Sequence, residues 1–171
     1  MAEPVLYFPT KVGAKWVYGD DGSTYTMVVT KVEPKRDAAL VTVSLVFPDG
    51  RTQHYETMEV SRTGLREVEN FYRKYDPPVP HLRLPHIPGA KWESPIRLDG
   101  EDRGTSEMAA SPTEEVKVPA GTFRAVRVGT LSTWWQSQQR VPHWYAPGVG
   151  LVRVKYRAGS SRDLKSFVPG K

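Results

Sequence analysis

The sequence contains no cysteine among its 171 residues. That absence excludes a disulfide framework, a thiol nucleophile, a Cys-ligated zinc site and an iron–sulfur cluster. Long apolar runs are also missing, because the longest, residues 38–47, is strand-sized and falls well short of the roughly 18 residues that a membrane helix needs. Neither a glycine-rich phosphate loop nor a Gly-x-Ser-x-Gly motif occurs, so phosphate-loop and α/β-hydrolase chemistry lack a motif that supports them.

The overall composition predicts one compact domain over residues 1–171. Hydrophobic residues make up 39% of the chain, aromatic residues 11% and charged residues 25%, which is ordinary for a globular protein and outside the range of disordered chains. A domain of this length buries roughly 70% of the surface that its unfolded chain exposes. We therefore expect a hydrophobic core that needs no metal or disulfide to hold it together.

Turn signals recur at strand-length intervals along the chain. They include Asp21-Gly22, Pro48-Asp49-Gly50, Asp99-Gly100, Pro119-Ala120-Gly121 and Pro147-Gly148. Between them, apolar and polar residues alternate with period two, so that Val152, Val154 and Tyr156 share one face of a predicted strand. This pattern predicts an all-β fold with little helix: an antiparallel β-barrel or curled half-barrel of about ten to twelve strands. Only residues 63–75 have a helical alternative, because apolar residues recur there three and four positions apart.

One nine-residue tract occurs twice, 76 residues apart. Phe8–Trp16 and Leu84–Trp92 carry Pro, Gly, Ala, Lys and Trp at the same relative positions. The repetition predicts an internal duplication, with pseudo-repeats at 8–76 and 84–168 joined by a proline-rich connector at 76–81. Because separate halves would leave unpaired strand edges, we expect both to close one unit. The tryptophans that end the two tracts are expected to plug the core, with a role in lining a ligand cavity as the alternative.

The net charge of +5 lies in the second half of the chain. Residues 93–115 carry seven acidic and two basic side chains, a net of −5, whereas residues 116–171 carry ten basic and one acidic, a net of +9. Such a distribution could steer an anionic partner to one face, although charges on the outer faces of strands also serve solubility. The basic segment alone is a weak reason to expect nucleic acid, and we do not predict it as a partner.

The residue types that carry catalytic or metal chemistry form no recognisable motif. His54, His81, His86 and His143 have no metal-binding spacing, and whether they meet in space stays open. Adjacent carboxylates on a strand point to opposite faces, so they cannot act as a facing acid/base pair. We therefore predict that the protein is not an enzyme, with no catalytic residues, no metal and no cofactor.

Two further tracts resemble a known family. Residues 118–128 (VPAGTFRAVRV) and 144–152 (WYAPGVGLV), together with the Gly-x-x-Trp tract, resemble a family of uncharacterised bacterial envelope domains over most of the chain from Pro9 to Val154. Members look like antiparallel sheets curled into a barrel or half-barrel, similar to lipoprotein-carrier (LolA/LolB-like) proteins. The resemblance implies a periplasmic or secreted protein; the start Met1–Pro4, which lacks a signal peptide, would then belong to a mature or shortened form. A cytoplasmic location stays open.

These observations lead to a functional hypothesis. The chain is predicted to be a non-catalytic binding or carrier module of the bacterial cell envelope, whose sheet encloses a lipid, another hydrophobic ligand or an anionic amphiphile. The candidate ligand-binding residues are the large aromatics Trp16, Trp92, Phe123, Trp134, Trp135 and Trp144. Trp134 and Trp135 are adjacent, so one of them could face a ligand. The alternative is a structural or protein-interaction domain with a filled core, no small-molecule ligand and an envelope protein as partner.

Overall fold

Twelve β-strands make up most of the described chain, which contains no α-helix. The computed structural model describes residues 5–134, 140–156 and 159–171. The first six strands are β1 Lys15–Asp20, β2 Ser23–Pro34, β3 Ala38–Val46, β4 Thr52–Ser61, β5 Gly64–Asn70 and β6 Arg73–Arg83. The second six are β7 Lys91–Leu98, β8 Glu101–Val118, β9 Gly121–Ser132, β10 Val141–Ala146, β11 Gly150–Lys155 and β12 Ser161–Val168. Within these ranges, no helix is long and apolar enough to span a bilayer.

The strands form one closed antiparallel barrel. Each strand pairs with the next along the chain, and β1 pairs with β12 to complete the circle. Shifts in register, such as the one between Val17 and Tyr18, interrupt most of the ladders, and such bulges bend a sheet. The all-β prediction is confirmed, and of the two architectures it allowed, the closed barrel is correct. The helical alternative for residues 63–75 is wrong, because these residues form β5, a turn at Phe71–Tyr72 and the start of β6.

The weakest junction in the barrel wall lies between β6 and β7. Their ladder has a single paired position, Tyr75 with Leu98. Pro77, Pro78 and Pro80 of β6 have no backbone N–H to donate. Because β6 spans Arg73–Arg83, residues 76–81 belong to the barrel wall. Their proline content had predicted a connector between two units. The strand tolerates these prolines because β6 pairs with β5 along its other edge, in a ladder whose register shifts twice, and Pro77 and Pro78 lie in one of these interruptions.

The two copies of the repeated tract have the same backbone geometry. Gly13 and Gly89 each have φ of 86°, in the left-handed region that glycine adopts without steric cost. The Gly13 N–H donates to the carbonyl of Val29 at 2.9 Å, and the Gly89 N–H donates to the carbonyl of Ala110, also at 2.9 Å. Both tracts thus turn the chain onto the following hairpin in the same way.

The tryptophans that follow these turns are also placed alike. Trp16 on β1 lies opposite Met27, and Trp92 on β7 lies opposite Met108. Both rings are at least 95% buried. Each begins the first strand of a six-strand half, so the two tracts occupy corresponding positions in the barrel.

Side chains fill part of the barrel interior. The larger hydrophobic cluster includes Trp16, Val41, Met58, Leu65, Leu82, Trp92, Met108, Val126, Trp144, Val152 and Leu164. A smaller cluster of Tyr75, Val79, Ile96 and Leu98 lies on the inner side of the β6–β7 junction. Barrel diameter grows with strand number, and about eight strands already give an interior that side chains can fill. A twelve-strand barrel with these contents therefore keeps open space inside.

Candidate functional site

Two adjoining cavities occupy the open part of the barrel interior. Their volumes are about 540 and 490 Å³. The residues that line both are Glu67, Tyr75, His81, Trp134, His143 and Tyr156. Because the cavities share these walls, we treat them as one site and call it the lumen.

The lumen wall is largely apolar or aromatic. In the larger cavity the apolar lining comes from Val79, Ile96, Trp134 and Val141. In the smaller one it includes Phe8, Met58, Leu98, Leu151 and Val154. The alternation of the strands places these side chains inward, since every second residue of a barrel strand faces the interior. Such a surface can bury the apolar part of a ligand.

An ion pair crosses the lumen wall between β5 and β6. The Glu67 carboxylate accepts a hydrogen bond from His81 Nε2 at 2.9 Å and another from Asn70 Nδ2 at 2.8 Å. Burial by itself lowers the pKa of His81, but the hydrogen bond to Glu67 and the charges of Glu67 and Glu56 outweigh it, so the pKa of His81 is raised. The positive charge of His81 therefore balances the negative charge of the buried Glu67 carboxylate.

Two other titratable groups in the lumen favour their neutral forms. Burial, reinforced by the charge of Glu67, raises the pKa of the Glu56 carboxyl well above its usual range. Burial, reinforced by His81, lowers the pKa of His143 to about 4. The His143 ring stacks on Tyr145 at 6.4 Å, and its Nδ1 lies 3.0 Å from the Val141 carbonyl, to which it donates when protonated there. Neither group adds a full charge to the lumen at neutral pH.

Arg162 of β12 brings a positive charge into the lumen among tyrosines. Its guanidinium carbon lies 5.3 Å from the centre of the Tyr25 ring. Tyr55 and Tyr156 line the smaller cavity together with Arg162. Among the described residues, neither Arg162 Nε nor the Tyr25 hydroxyl has a hydrogen-bond partner, although both atoms are buried. Burial raises the pKa of Tyr25, Tyr55 and Tyr156, so their hydroxyls stay protonated and able to donate.

The predicted aromatic residues are not gathered around the lumen. Trp16, Trp92 and Trp144 are buried in the larger hydrophobic cluster. Their indole N–H groups donate to the Val149 carbonyl at 2.7 Å, to the Pro80 carbonyl at 2.9 Å and to the Glu114 carboxylate, respectively. Trp16 also borders a pocket of only about 50 Å³. These three residues have a packing role in the structure.

The other three aromatic candidates, Phe123, Trp134 and Trp135, do not share one location. Phe123 of β9 is half-buried and packs against the larger hydrophobic cluster. Trp134 lines both cavities of the lumen and packs against the smaller cluster. Trp135 lies outside the described residues. Of the five candidates that the structure describes, Trp134 is the one that lines both large cavities.

The four histidines do not meet at one point. His81 and His143 face the lumen. His54 has Nε2 2.9 Å from the Thr57 hydroxyl, and His86 has Nε2 2.7 Å from the Ser111 carbonyl, so each belongs to a separate local contact. Across residues 5–134, 140–156 and 159–171, no group of three or more potential metal ligands comes together.

The polar residues of the lumen were not predicted from the sequence. Glu56, Glu67, His143 and Arg162 each stand two positions from a buried apolar or aromatic residue on the same strand. A charged or polar residue on the inward side of the alternation is the signal that could have identified them.

Comparison with known proteins finds a similarity of fold. No protein-family model matches the chain, and no curated protein matches its sequence. A putative lipoprotein from Parabacteroides distasonis has a TM-score of 0.53 and 19% identity, over 98% of this chain and 100% of that chain. A putative exported protein with a YmcC-like fold from Bacteroides fragilis has a TM-score of 0.60 and 18% identity, over 96% of this chain and 99% of that chain. The chain shares its whole fold with these bacterial proteins.

Proposed function

We propose that this chain is a non-catalytic binding module of the bacterial cell envelope, and that its lumen holds a lipid or another hydrophobic or amphiphilic ligand. The observation that carries the proposal is the lumen itself. Ligand pockets are concave, mostly apolar and about 300–1,000 Å³ in volume, with a few polar groups that orient the ligand. The two cavities, of about 540 and 490 Å³, have this size and this kind of lining.

The state of the polar groups supports binding over catalysis. The Glu67 carboxylate is held by His81 and Asn70, so it is compensated and fixed in place. Burial lowers the pKa of His143 to about 4, well below neutral pH. A general acid or base works best with a pKa near the operating pH and a clear path to a reacting atom. The mechanism that we propose is burial of the ligand, without a chemical step.

The envelope location in this proposal rests on the neighbouring structures. One is described as a lipoprotein and the other as an exported protein. A barrel that covers a hydrophobic ligand would suit the aqueous space of the envelope, because burial of apolar surface keeps such a ligand out of water. The carrier role, and the likeness to lipoprotein carriers, belong to this proposal.

A ligand-extraction experiment tests the proposed function. The protein is expressed in a bacterial host, purified without detergent and extracted with organic solvent, and the extract is analysed by mass spectrometry. The expected result is an amphiphile or lipid in near-stoichiometric amount. Titration with dodecanol, followed by intrinsic tryptophan fluorescence, gives a second measurement on the extracted protein.

A pair of matched substitutions supplies the control. Thr130→Trp fills the lumen from β9, and Thr122→Trp places the same residue on an exposed position of the same strand. We expect Thr130→Trp to reduce retention of the ligand by roughly 10-fold or more, since lost apolar burial costs about 25 cal/mol per Å². Thr122→Trp should leave retention unchanged. A clean extract together with no dodecanol binding would instead support the alternative, a structural or protein-interaction domain.

A further inference from the structure

We infer that Arg162, with Tyr25, Tyr55 and Tyr156, forms a binding site for the carboxylate head group of an amphiphile whose apolar tail occupies the lumen. This inference rests on the proposed function and specifies the ligand class that the lumen takes. It assigns a recognition role to residues of β2, β4 and β12 and to Tyr156, which directly follows β11.

The first step is the uncompensated charge of Arg162. A guanidinium stays protonated in proteins and is costly to bury unless an anion or polar groups surround it. No ion pair joins Arg162 to any carboxylate among the residues that the structure describes. Asp20 lies opposite it in the β1–β12 ladder, and Glu56 lines the same cavity, but neither pairs with it. The site therefore carries a positive charge without a protein counter-ion.

The second step is the set of donors beside that charge. The Tyr25 hydroxyl and Arg162 Nε are both buried and both lack a hydrogen-bond partner in the described part of the chain. Tyr55 and Tyr156 line the smaller cavity together with Arg162, and the Tyr55 hydroxyl oxygen accepts a hydrogen bond from the guanidinium, which leaves the hydroxyl proton able to donate. Buried polar groups normally have partners, and of Tyr25 and Arg162 it is Arg162 that lines the smaller cavity, so its guanidinium identifies where an acceptor would bind. Phenolic hydroxyls and a guanidinium together suit an anion.

The third step is the connection between this site and the apolar space. Arg162 lines the smaller cavity together with Tyr156, and Tyr156 lines the larger one as well. Trp134 also borders both cavities, and Val141 and Ile96 lie on the wall of the larger one. A head group at Arg162 can therefore be followed by a chain that passes Tyr156 and ends among apolar side chains. Such a layout fits a single-chain amphiphile.

A carboxylate is favoured over a phosphate by charge. The planar fork of a guanidinium matches a carboxylate in a bidentate arrangement. The Glu67 carboxylate lines the same cavity, and, although it pairs with His81, it repels a dianionic group more strongly than a monoanion in a low-dielectric site. Among amphiphiles with equal tails, we therefore expect the fatty carboxylate to bind most tightly.

The test compares four probes with the same dodecyl chain: laurate, dodecanol, dodecyl phosphate and dodecyltrimethylammonium. Binding to solvent-extracted wild-type protein is measured by isothermal titration calorimetry at neutral pH. We expect laurate to bind roughly 10-fold or more tightly than dodecanol, the range of a charge-assisted hydrogen bond. The phosphate should bind less tightly than laurate, and the cationic probe should bind least.

Variants locate the preference at Arg162. Arg162→Gln should bind laurate and dodecanol with nearly equal affinity, and Arg162→Lys should restore part of the preference, because a point charge replaces the planar fork. Arg124→Gln is the matched control, since it removes the same charge from an exposed position on β9. It should keep the full preference for laurate. Retained dodecanol binding by Arg162→Gln shows that this variant is folded.

The outcomes separate the inference from the proposed function. If no probe binds wild-type protein, the proposed function fails and the inference fails with it. If dodecanol binds and laurate binds no more tightly, the binding function stands and the inference is overturned. This comparison uses wild-type protein alone, so it decides the question even where Arg162→Gln does not fold. Tighter binding of dodecyl phosphate than of laurate would overturn the assignment to a carboxylate.

Discussion

Single residues of the lumen show how a barrel can keep ionisable groups inside. Burying a charge without compensation is expensive, so such groups are paired or become neutral. Glu67 and His81 follow the first course, with a 2.9 Å hydrogen bond between them. Glu56 follows the second, because burial and the charge of Glu67 raise the pKa of its carboxyl. Arg162 stays charged and forms no ion pair with a carboxylate among the described residues. This difference makes it the residue most suited to bind an external anion.

Replacing Glu56 tests this description through its pH dependence. The pKa of Glu56 is raised in the folded state above the ordinary value of 4.5, so the folded protein binds this proton more tightly than the unfolded chain does. Wild type therefore loses stability as pH rises from 4.5 towards the folded-state pKa. We expect Glu56→Gln to exceed wild type in free energy of unfolding by an amount that grows by about 1.4 kcal/mol per pH unit in that window.

Urea unfolding at a series of pH values measures the effect. Glu115→Gln is the control, because Glu115 is exposed on β8 and its replacement should give a nearly constant difference across the same pH range. A difference between Glu56→Gln and wild type that does not change with pH would contradict a raised pKa at Glu56.

Among the strands, β6 stands apart because its two edges differ. It has a ladder with β5 but a single paired position with β7. Other contacts cross this junction. The Asp99 N–H donates to the Lys74 carbonyl at 2.8 Å, and the Asp99 carboxylate accepts from the Lys74 N–H and from Arg73 Nε, each at 2.9 Å. The Trp92 indole N–H donates to the Pro80 carbonyl, also at 2.9 Å. A cleft of about 580 Å³ runs beside it, lined in part by Pro77, Pro78, Pro80 and Pro95. The barrel is closed here mainly by side chains.

Hydrogen exchange should reveal this weak junction. Amides of β7 that face β6 lack a backbone acceptor along most of the strand, whereas those of β8 pair with β7 on one side and β9 on the other. We expect the unpaired β7 amides to exchange at least about 100-fold faster than the central amides of β8, as locally unprotected positions do. Mass spectrometry of peptic fragments gives the rates. Equal protection of β7 and β8 would contradict a weak junction.

The elements also show what the sequence could predict. Alternation and turn residues located most strands, as at Val152 and Val154, because inward and outward faces differ in polarity. The strand β6 was missed because Pro77 and Pro78 indicate a break. Prolines are compatible with a strand where no neighbouring strand requires a backbone N–H at their positions, and only the tertiary pairing decides this. The same limit applies to the site. In the sequence Arg162 is one of ten basic residues in 116–171 with nothing to distinguish it, and the pairing of β12 turns it inward.

At the scale of the whole molecule, strand number and core composition together create the site. The larger cluster uses tryptophan, methionine and valine side chains to fill part of a twelve-strand barrel. The rest of the interior stays open as the lumen. Three of the conspicuous tryptophans, Trp16, Trp92 and Trp144, pack in the core, because large side chains are needed to fill a wide barrel, whereas Trp134 lines the lumen. Tyrosines and inward charges, which are less conspicuous, line the open part.

A crystal structure with a bromine-labelled laurate, the bromine at the end of the chain away from the carboxylate, tests the central claim most directly. Anomalous scattering would locate the bromine without reference to the protein density. We expect the peak inside the barrel, near Trp134 and Val141, with the carboxylate beside Arg162. A peak on the outer surface, or an interior closed by side chains while laurate is bound elsewhere, would contradict the claim that the lumen is the binding site.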